Sequence, residues 1–303
     1  MLGIVFLCCA CTEKDKRGRP LDTPTAGDIK IAVDESLRPL LEAEVDAFEG
    51  IYKQANVQAN YTSETEAIEA LLNDSVRLAV VTRRLVGDEV SMLMKDKIVP
   101  VQTDIATGAV ALIIHRNNHD SLLRISQLKE IFNGKITNWN QLNSTTASSS
   151  ITIVFDNPKS GIVRFLRDSI ANGEQLPSNC FAVKTNQAVV EYVSKNASAI
   201  GLIGVEWISD HDDSTANQFL NTIRVMSLAG DSSYFKPYQA YVALHQYPLC
   251  RGTIIISREA RAGLGSGFTA FVASDKGQRI VLKAGLVPTT MPVRIVEINR
   301  DSR

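Results

Sequence analysis

The chain has 303 residues, of which 45% are hydrophobic and 21% are charged, and its formal net charge is −1. This composition is ordinary for a soluble globular protein of one large domain or two medium ones. The near-neutral balance gives no global field that would attract nucleic acid, and the sequence has no run of 18 apolar residues that could span a membrane.

The first stretch of the chain, Met1–Ala10, is apolar and is followed by Cys11 and then by polar sequence. This order resembles the end of a bacterial lipoprotein signal peptide, in which cleavage leaves an acylated cysteine. The resemblance predicts a signal peptide over residues 1–11, a flexible tether over residues 12–27, and lipid attachment at Cys11. Two features depart from it: no basic segment precedes the apolar run, and Cys8 stands where leucine is usual. The alternative is a tail with incidental cysteines.

Two further cysteines, Cys180 and Cys250, lie in the body of the chain. In an oxidising compartment they could form one disulfide. Buried free thiols are the commoner arrangement for isolated cysteines, and the sequence leaves both alternatives open.

Three consecutive segments each place polar residues directly after a predicted strand. The strands and the residues of interest after them are Ile29–Val33 with Ser36, Val57–Tyr61 with Ser63 and Thr65, and Leu78–Val81 with Thr82 and Arg83. Ser63 and Glu66 fit a capping box that opens a helix. Strands alternating with helices indicate an α/β protein with parallel strands, in which ligands bind at the carboxyl ends of the strands.

Further along the chain the pattern predicts more strands, one loop and a last helix. The predicted strands are Val99–Val101, Ala109–Ile114, Tyr241–Leu244 and Thr253–Ile256. The glycine-rich segment 263–267 lacks the residues of a phosphate-binding P-loop, and we interpret it as a plain loop. The helix predicted after it has an interruption near Ser274.

A strand predicted over Ile151–Phe155 is followed by a turn and then by Ser160 and Gly161, which open an amphipathic helix. Ser160 is a good N-cap, and Gly161 leaves the first turn free of side chain. A helix start offers unpaired N–H groups and the positive end of the helix dipole, so it can hold an oxyanion. An ordinary capped helix without a ligand remains the alternative.

The segment Ile125–Leu142, ISQLKEIFNGKITNWNQL, is similar to the phosphate-binding component of bacterial phosphate ABC transporters, a two-lobed periplasmic binding protein. Other segments support the resemblance: Gly108–Asn118, Ala199–Gly204, Tyr247–Ile256 and Phe271–Pro288. The motifs run in the family's order over residues 28–290. They belong to the scaffold and the hinge of such proteins rather than to the ligand site.

The resemblance implies an α/β, two-lobed periplasmic-binding-protein fold of type II, in which each lobe is a mixed sheet flanked by helices. Lobe I is expected over residues 28–104 plus 206–303, and lobe II over residues 105–205. The implied function is that of a lipid-anchored solute-binding protein that captures inorganic phosphate, or a similar oxyanion, for an ABC transporter permease. The implied protein is a monomer in the periplasm or cell envelope that contacts the membrane only through its lipid anchor. It has no enzymatic activity, cofactor, metal or nucleic-acid partner.

The family's binding positions can be carried over only in part. The predicted ligand-binding residues are Ser36, Leu37, Ser63, Thr65, Thr82, Arg83, Ser160, Gly161 and Ile162. Ser63 and Thr65 are alternatives for one position, because a small gap can be placed either way. At Ile162 the family has a threonine, so here only the backbone N–H remains.

Two departures concern charge. Arg83 stands near the position where the family has a carboxylate that accepts the proton of phosphate, and Asp156 stands where it has an arginine. Arg83 is therefore predicted to grip the oxyanion, while Asp156, Glu64 or Glu35 accepts the ligand proton. Unless one of these carboxylates reaches the ligand, discrimination against sulfate should be weaker than in the family. The alternative makes Arg83 a surface or lobe-closing salt-bridge residue.

These departures keep a second function open. A sensory or interaction protein on the same fold would have a shifted or weakened oxyanion ligand. An enzyme such as a phosphatase is a third possibility, but no metal-ligand cluster and no nucleophile–base pair in the sequence supports it.

Overall fold

A computed structural model describes residues 22–142, 149–171, 173, 176–210, 212–230 and 233–292. The predicted signal peptide, the lipid-attachment residue Cys11 and most of the tether lie outside these residues, so these three assignments stay predictions. Within the described part of the chain, no helix is both long enough and apolar enough to cross a membrane.

Strands and helices alternate through much of the chain, as the α/β pattern predicts. The strands are β1 (Ala26–Asp34), β2 (Gln54–Thr62), β3 (Leu78–Val81), β4 (Val101–His115), β5 (Leu122–Arg124), β6 (Thr152–Phe155), β7 (Cys180–Ala182), β8 (Ala199–Gly204), β9 (Ile223–Val225), β10 (Ser227–Ala229), β11 (Tyr234–Phe235), β12 (Cys250–Ser257) and β13 (Val287–Pro288). The helices are α1 (Arg38–Ile51), α2 (Glu64–Leu72), α3 (Gly87–Lys95), α4 (Ile125–Phe132), α5 (Gly161–Ser169), α6 (Asn186–Val193), α7 (Ser214–Thr222), α8 (Gln239–Ala243), α9 (Leu264–Ala273) and α10 (Asp275–Lys283). Short 3-10 turns occur at Glu35–Leu37, Trp139–Leu142 and Val205–Trp207.

A mixed sheet runs through both halves of the molecule in the order β2-β1-β3-β12-β4-β8-β6-β7, and β9 and β13 also pair with β4. In the first half, β1 lies parallel to β2 and to β3. In the second half, β6 lies parallel to β7 and to β8. Strand β9 lies in the range predicted for lobe I, yet it pairs with the same end of β4 as β8, a strand of predicted lobe II. The predicted lobe boundaries stay a prediction.

Strand β4 connects the two halves. The sequence pattern predicts separate strands at Val99–Val101 and Ala109–Ile114, and this is wrong, because β4 is continuous over 15 residues. Its first part pairs with β12, and its last part pairs with β8. The polar residues 102–104 do not interrupt the strand, because the hydrogen bonds to β12 hold them in extended conformation.

Two other local predictions are also wrong. Tyr241–Leu244, predicted as a strand, lies mostly within helix α8, which packs Val242 into the core. A four-residue apolar run does not distinguish a strand from a helix, so only tertiary packing decides. The predicted loop at 263–267 is instead the start of α9. There Gly267 lies against the main chain of Pro24, and a Cβ atom at this position would collide with the Pro24 carbonyl group.

Cys180 and Cys250 are free thiols in the structure. Both are partly buried, and burial raises the pKa of Cys180 to about 12 and that of Cys250 to about 11. Of the two alternatives left open by the sequence, the structure has the two separate thiols.

Candidate functional site

The end of β1, in the first half of the molecule, meets the start of α5, in the second half. The backbone N–H of Gly161 donates to Asp34 Oδ2 at 2.7 Å. Ser36 donates to the other carboxylate oxygen, Asp34 Oδ1, from its N–H at 2.9 Å and from its hydroxyl at 2.5 Å. Asp34 and Ser36 are fully buried. The carboxylate of Asp34 therefore bridges the halves and takes the position of an anion at the N-terminus of a helix.

A second carboxylate, that of Glu64, also bridges the two halves of the molecule. Glu64, the first residue of α2, accepts from the Thr82 N–H at 2.8 Å and from the Thr82 hydroxyl at 2.5 Å. Its other oxygen accepts from Nε of Arg164, on α5, at 2.5 Å. Arg164 also donates to the Thr82 hydroxyl at 3.1 Å. Glu64 is thus held by donors from both halves of the molecule.

A third carboxylate, that of Glu35, accepts hydrogen bonds at the start of α6. Asn186 donates to Glu35 Oε2 from its backbone N–H at 3.0 Å and from its side-chain amide at 2.6 Å. The same amide lies 3.4 Å from Asp156 Oδ2. Two helix N-termini of the second half therefore receive two consecutive acidic residues, Asp34 at the end of β1 and Glu35 directly after it.

Gly161 lies at the centre of this contact. A Cβ atom on it would lie 2.5 Å from Thr82 Oγ1 and 2.8 Å from both Asp34 Oδ2 and Glu64 Oε2. Real Cβ atoms do not approach oxygen so closely, so the two halves can meet here only because residue 161 has no side chain.

Several predicted binding residues lie at this contact, but some of their side chains are already used locally. The Ser160 hydroxyl caps α5 by accepting from Val163 N at 3.3 Å. The Ser63 hydroxyl caps α2 as part of the predicted capping box, which is confirmed. Thr65 donates from its N–H and its hydroxyl to the Lys159 carbonyl oxygen, at 3.3 and 3.2 Å. These contacts also join the two halves.

The apolar members of the predicted set can contribute only their backbone. Leu37 and Ile162 are fully buried with their side chains in the main hydrophobic core. Their N–H groups follow in the chain those of Ser36 and Gly161, which donate to the Asp34 carboxylate.

Arg83 is the predicted residue that points elsewhere. Its guanidinium makes a two-pronged ion pair with Glu89, on the neighbouring α3, at 2.7 and 2.6 Å. Nε of Arg83 lies 3.9 Å from Glu64 Oε1. This geometry fits the salt-bridge alternative, and Asp156 pairs with Asn186 instead. A grip of Arg83 on an oxyanion stays a prediction.

Sequence reasoning missed the buried arginine of the site. Arg251, on β12, donates from Nη2 to the Ser36 hydroxyl at 2.9 Å, and Nη2 lies 3.9 Å from Glu206 Oε2. Both side chains are almost completely buried. An arginine within an apolar strand was the available signal, because a buried guanidinium requires an acidic or carbonyl partner. Arg164 carried a similar signal, since it lies one turn after Ser160 on the helix that faces the cleft.

The site is rich in buried acids. The carboxyl groups are Asp34, Glu35, Glu64, Asp156 and Glu206. In the described part of the chain, the guanidinium groups within 4 Å of one of them are those of Arg38, Arg83, Arg164 and Arg251. Burial raises the pKa of Asp156 to about 7 and that of Glu206 to about 7. Burial also raises the pKa of Asp34 and of Glu35. For Glu64, burial raises the pKa, but the Arg164 charge and the hydrogen bonds from Arg164 and Thr82 outweigh it, so the pKa lies below its ordinary value.

We expect the free energy of unfolding to fall as the pH rises from about 4 to about 7. Asp156 and Glu206 stay protonated in the folded protein through this range, whereas both ionise near pH 4 in the unfolded chain. The folded state therefore binds more protons, and each group costs roughly 1.4 kcal/mol per pH unit. Glu64 has the opposite shift, and its contribution is lost only below about pH 4.5. Urea unfolding at pH 5.5 and 7.5, without added phosphate, measures the difference.

Asp156→Asn and Glu206→Gln serve as the matched variants for this measurement, because they keep the shape of each side chain and remove its ionisation. Each substitution should reduce the change in the free energy of unfolding between pH 5 and pH 7. A wild-type stability that does not fall over this range would contradict the raised pKa values of these two carboxyls.

A cavity of about 800 Å³ lies elsewhere on the molecule and is lined by residues such as Arg224, Tyr238 and Leu282. None of the predicted binding residues lines it. The contact between the strand ends and the helix starts, rather than this cavity, collects the groups that could hold an oxyanion.

Comparisons with known proteins agree with this architecture. Residues 19–276 match the family model described as a PBP superfamily domain. The phosphate-binding protein PstS of Staphylococcus aureus is 23% identical over 282 residues, which cover 91% of this chain and 83% of that protein.

Solved structures show the same fold. A substrate-binding protein of Clostridium perfringens with bound phosphate is 24% identical, has a TM-score of 0.73, and is matched over 87% of this chain and 100% of that one. An ABC-type phosphate transport receptor of Vibrio cholerae is 18% identical, with a TM-score of 0.66, over 86% of this chain and 100% of that one. The predicted two-lobed α/β fold, with mixed sheets flanked by helices, is confirmed. With the family model matched over most of its length, the chain belongs to the PBP superfamily domain family.

Proposed function

We propose that the protein is a solute-binding protein that captures inorganic phosphate between its two lobes and hands it to an ABC transporter permease. The observation that carries this proposal is the convergence of oxyanion donors from both lobes. The Gly161 N–H comes from one lobe and the Ser36 N–H and hydroxyl come from the other, and they meet at a single carboxylate. The phosphate-binding relatives support the choice of ligand.

The ligand oxygens would use the donors that now engage Asp34, with Arg251 supplying positive charge behind Ser36. An acidic side chain in the same cleft, such as Asp156, would accept a hydrogen bond from a phosphate hydroxyl group. Sulfate has no such proton at neutral pH, so it would bring only acceptors to an acceptor-rich site. The sequence predicts weak discrimination against sulfate unless a carboxylate reaches the ligand. The buried carboxylates beside these donors support the second case, in which sulfate is rejected.

The finer assignments belong to the same proposal. The protein would act as a monomer in the periplasm or cell envelope, held to the membrane by a lipid on Cys11, with no catalytic role and no nucleic-acid partner. The alternative of a sensory or interaction protein is supported by one observation, the occupation of the donors by Asp34 and Glu64, and it would show weak phosphate binding.

Isothermal titration calorimetry with phosphate, arsenate and sulfate tests the proposal. We expect one phosphate per chain, similar binding of arsenate because it has the same shape and protons, and much weaker binding of sulfate. A missing carboxylate–proton hydrogen bond costs about 1.5–3 kcal/mol, which is about ten- to hundredfold in affinity. If phosphate produced no binding heat between pH 5.5 and pH 8, the function proposed here would be wrong.

A further inference from the structure

The donors of the cleft are engaged by the protein's own carboxylates. Asp34 accepts from Gly161 N–H and from both Ser36 donors, and Glu64 accepts from both Thr82 donors and from Arg164. Each set combines backbone N–H groups with a hydroxyl, which is the kind of cradle that holds a phosphate oxygen. The carboxylate oxygens therefore stand where ligand oxygens would go under the proposed function.

The buried acids of the cleft also oppose the binding of an additional anion. All five of its acids are buried, whereas the guanidinium groups of Arg38, Arg83 and Arg164 beside them are partly exposed and only that of Arg251 is buried to the same degree. Among the described residues, Asp156 Oδ1 and both carboxylate oxygens of Glu206 have no hydrogen-bond donor. At pH 8, where Asp156 and Glu206 are mostly ionised, a further anion in such a place is opposed by like charges in a medium of low dielectric constant. Phosphate can enter favourably only if negative charge is neutralised at the same time.

We propose that Asp34 and Glu64 are internal competitors of phosphate, and that the ligand displaces Asp34 from its donors with uptake of a proton. This inference rests on the proposed function. It makes Asp34 a residue that sets affinity and its pH dependence.

The proton balance is simple. The displaced Asp34 carboxylate takes one proton from solvent and becomes a neutral carboxylic acid, which can donate its O–H to a ligand oxygen. One proton is then bound for each phosphate anion bound, in addition to any change in the ligand itself. Loss of three donors leaves ionised Asp34 poorly solvated, and burial already raises its pKa while Arg251 opposes the rise. The acidic groups around it are Glu35 on the turn after β1, Glu64 on α2, Asp156 after β6 and Glu206 after β8, and the basic groups are Arg251 on β12 and Arg164 on α5. Arg38 and Arg83 lie beside Glu35 and Glu64.

The decisive comparison is phosphate titration of the full chain and of Asp34→Asn at pH 5.5, 7 and 8. Asparagine keeps the shape of the side chain but carries no charge and takes up no proton. The ionisation of phosphate itself is the same in both titrations and cancels in the comparison. We expect Asp34→Asn to bind phosphate about tenfold or more tightly than the wild type at pH 8, with the difference narrowing at pH 5.5.

A second measurement needs no substitution. Titrations of the wild type in buffers with different ionisation enthalpies report the protons bound per phosphate, and Asp34→Asn should bind about one proton fewer. Glu64→Gln should also strengthen binding at pH 8, whereas Asp275→Asn, on the exposed face of α10, should match the wild type.

Weaker phosphate binding by Asp34→Asn at pH 8, or equal proton uptake by the two proteins, would overturn the inference and make Asp34 an ordinary ligand contact. Binding by Asp34→Asn but not by the wild type would be its strongest support. Absence of phosphate binding by every variant at every pH would instead remove the proposed function, and this inference with it.

Discussion

Replacing Gly161 with alanine is expected to weaken phosphate binding by about ten- to hundredfold, because it separates the lobes where they meet. The added Cβ would lie 2.5–2.8 Å from side-chain oxygens of Thr82, Asp34 and Glu64. The Gly161 N–H and the donors of the other lobe could then no longer reach the same phosphate ion, and a charge-assisted hydrogen bond to the ligand of about 1.5–3 kcal/mol would be lost. Calorimetric titration with phosphate measures the change.

Gly50→Ala is the matched control, because Gly50 lies in helix α1 and a Cβ there would meet no atom within 4 Å. Alanine at this position, one residue before α1 ends, should leave binding unchanged and stabilise the fold by less than about 1 kcal/mol. Small-angle scattering gives a second readout: Gly161→Ala should have a larger radius of gyration than Gly50→Ala in saturating phosphate. Equal affinity and equal size for the two variants would mean that the lobes do not close through Gly161.

Replacing Arg251 with methionine should destabilise the protein by about 3–5 kcal/mol, which is the usual effect of breaking a buried ion pair from one side. Arg251 is the buried cation nearest to Glu206, and it donates to the Ser36 hydroxyl that in turn holds Asp34. Without it, these two carboxyl groups would share a dry site with no positive charge beside Ser36. Urea unfolding at pH 7.5 measures the loss.

The double variant Arg251→Met with Glu206→Gln tests the cause of this loss. If the destabilisation comes from uncompensated negative charge, removing the acid together with the base should recover a substantial part of it. Arg279→Met removes an exposed arginine that pairs with Asp275 and should cost less than about 1 kcal/mol. A cost for Arg251→Met as small as that of Arg279→Met would contradict a charge-balancing role.

The local features of the protein follow from the sequence alone. The capping box of Ser63 and Glu66 and the cap at Ser160 lie where the pattern predicts, because each depends on side chains and N–H groups within one turn. Strands β1 and β3 and helix α5 also follow from local periodicity. The family resemblance was readable because its motifs are contiguous segments of the scaffold.

Tertiary structure decided what these local pieces do together. The sequence shows that Asp34 follows a strand and that Gly161 opens a helix, but the two residues are 127 positions apart, and only the fold brings them to 2.7 Å. Arg83 matches a binding position in the chain, yet a nearby acid, Glu89, takes its guanidinium once α3 is in place. The physical reason is general: a sequence displays donors, acceptors and charges, whereas packing decides which of them meet and how much water is left between them. For this protein, packing places the carboxylates of Asp34 and Glu64 on the donors that we propose to hold an oxyanion.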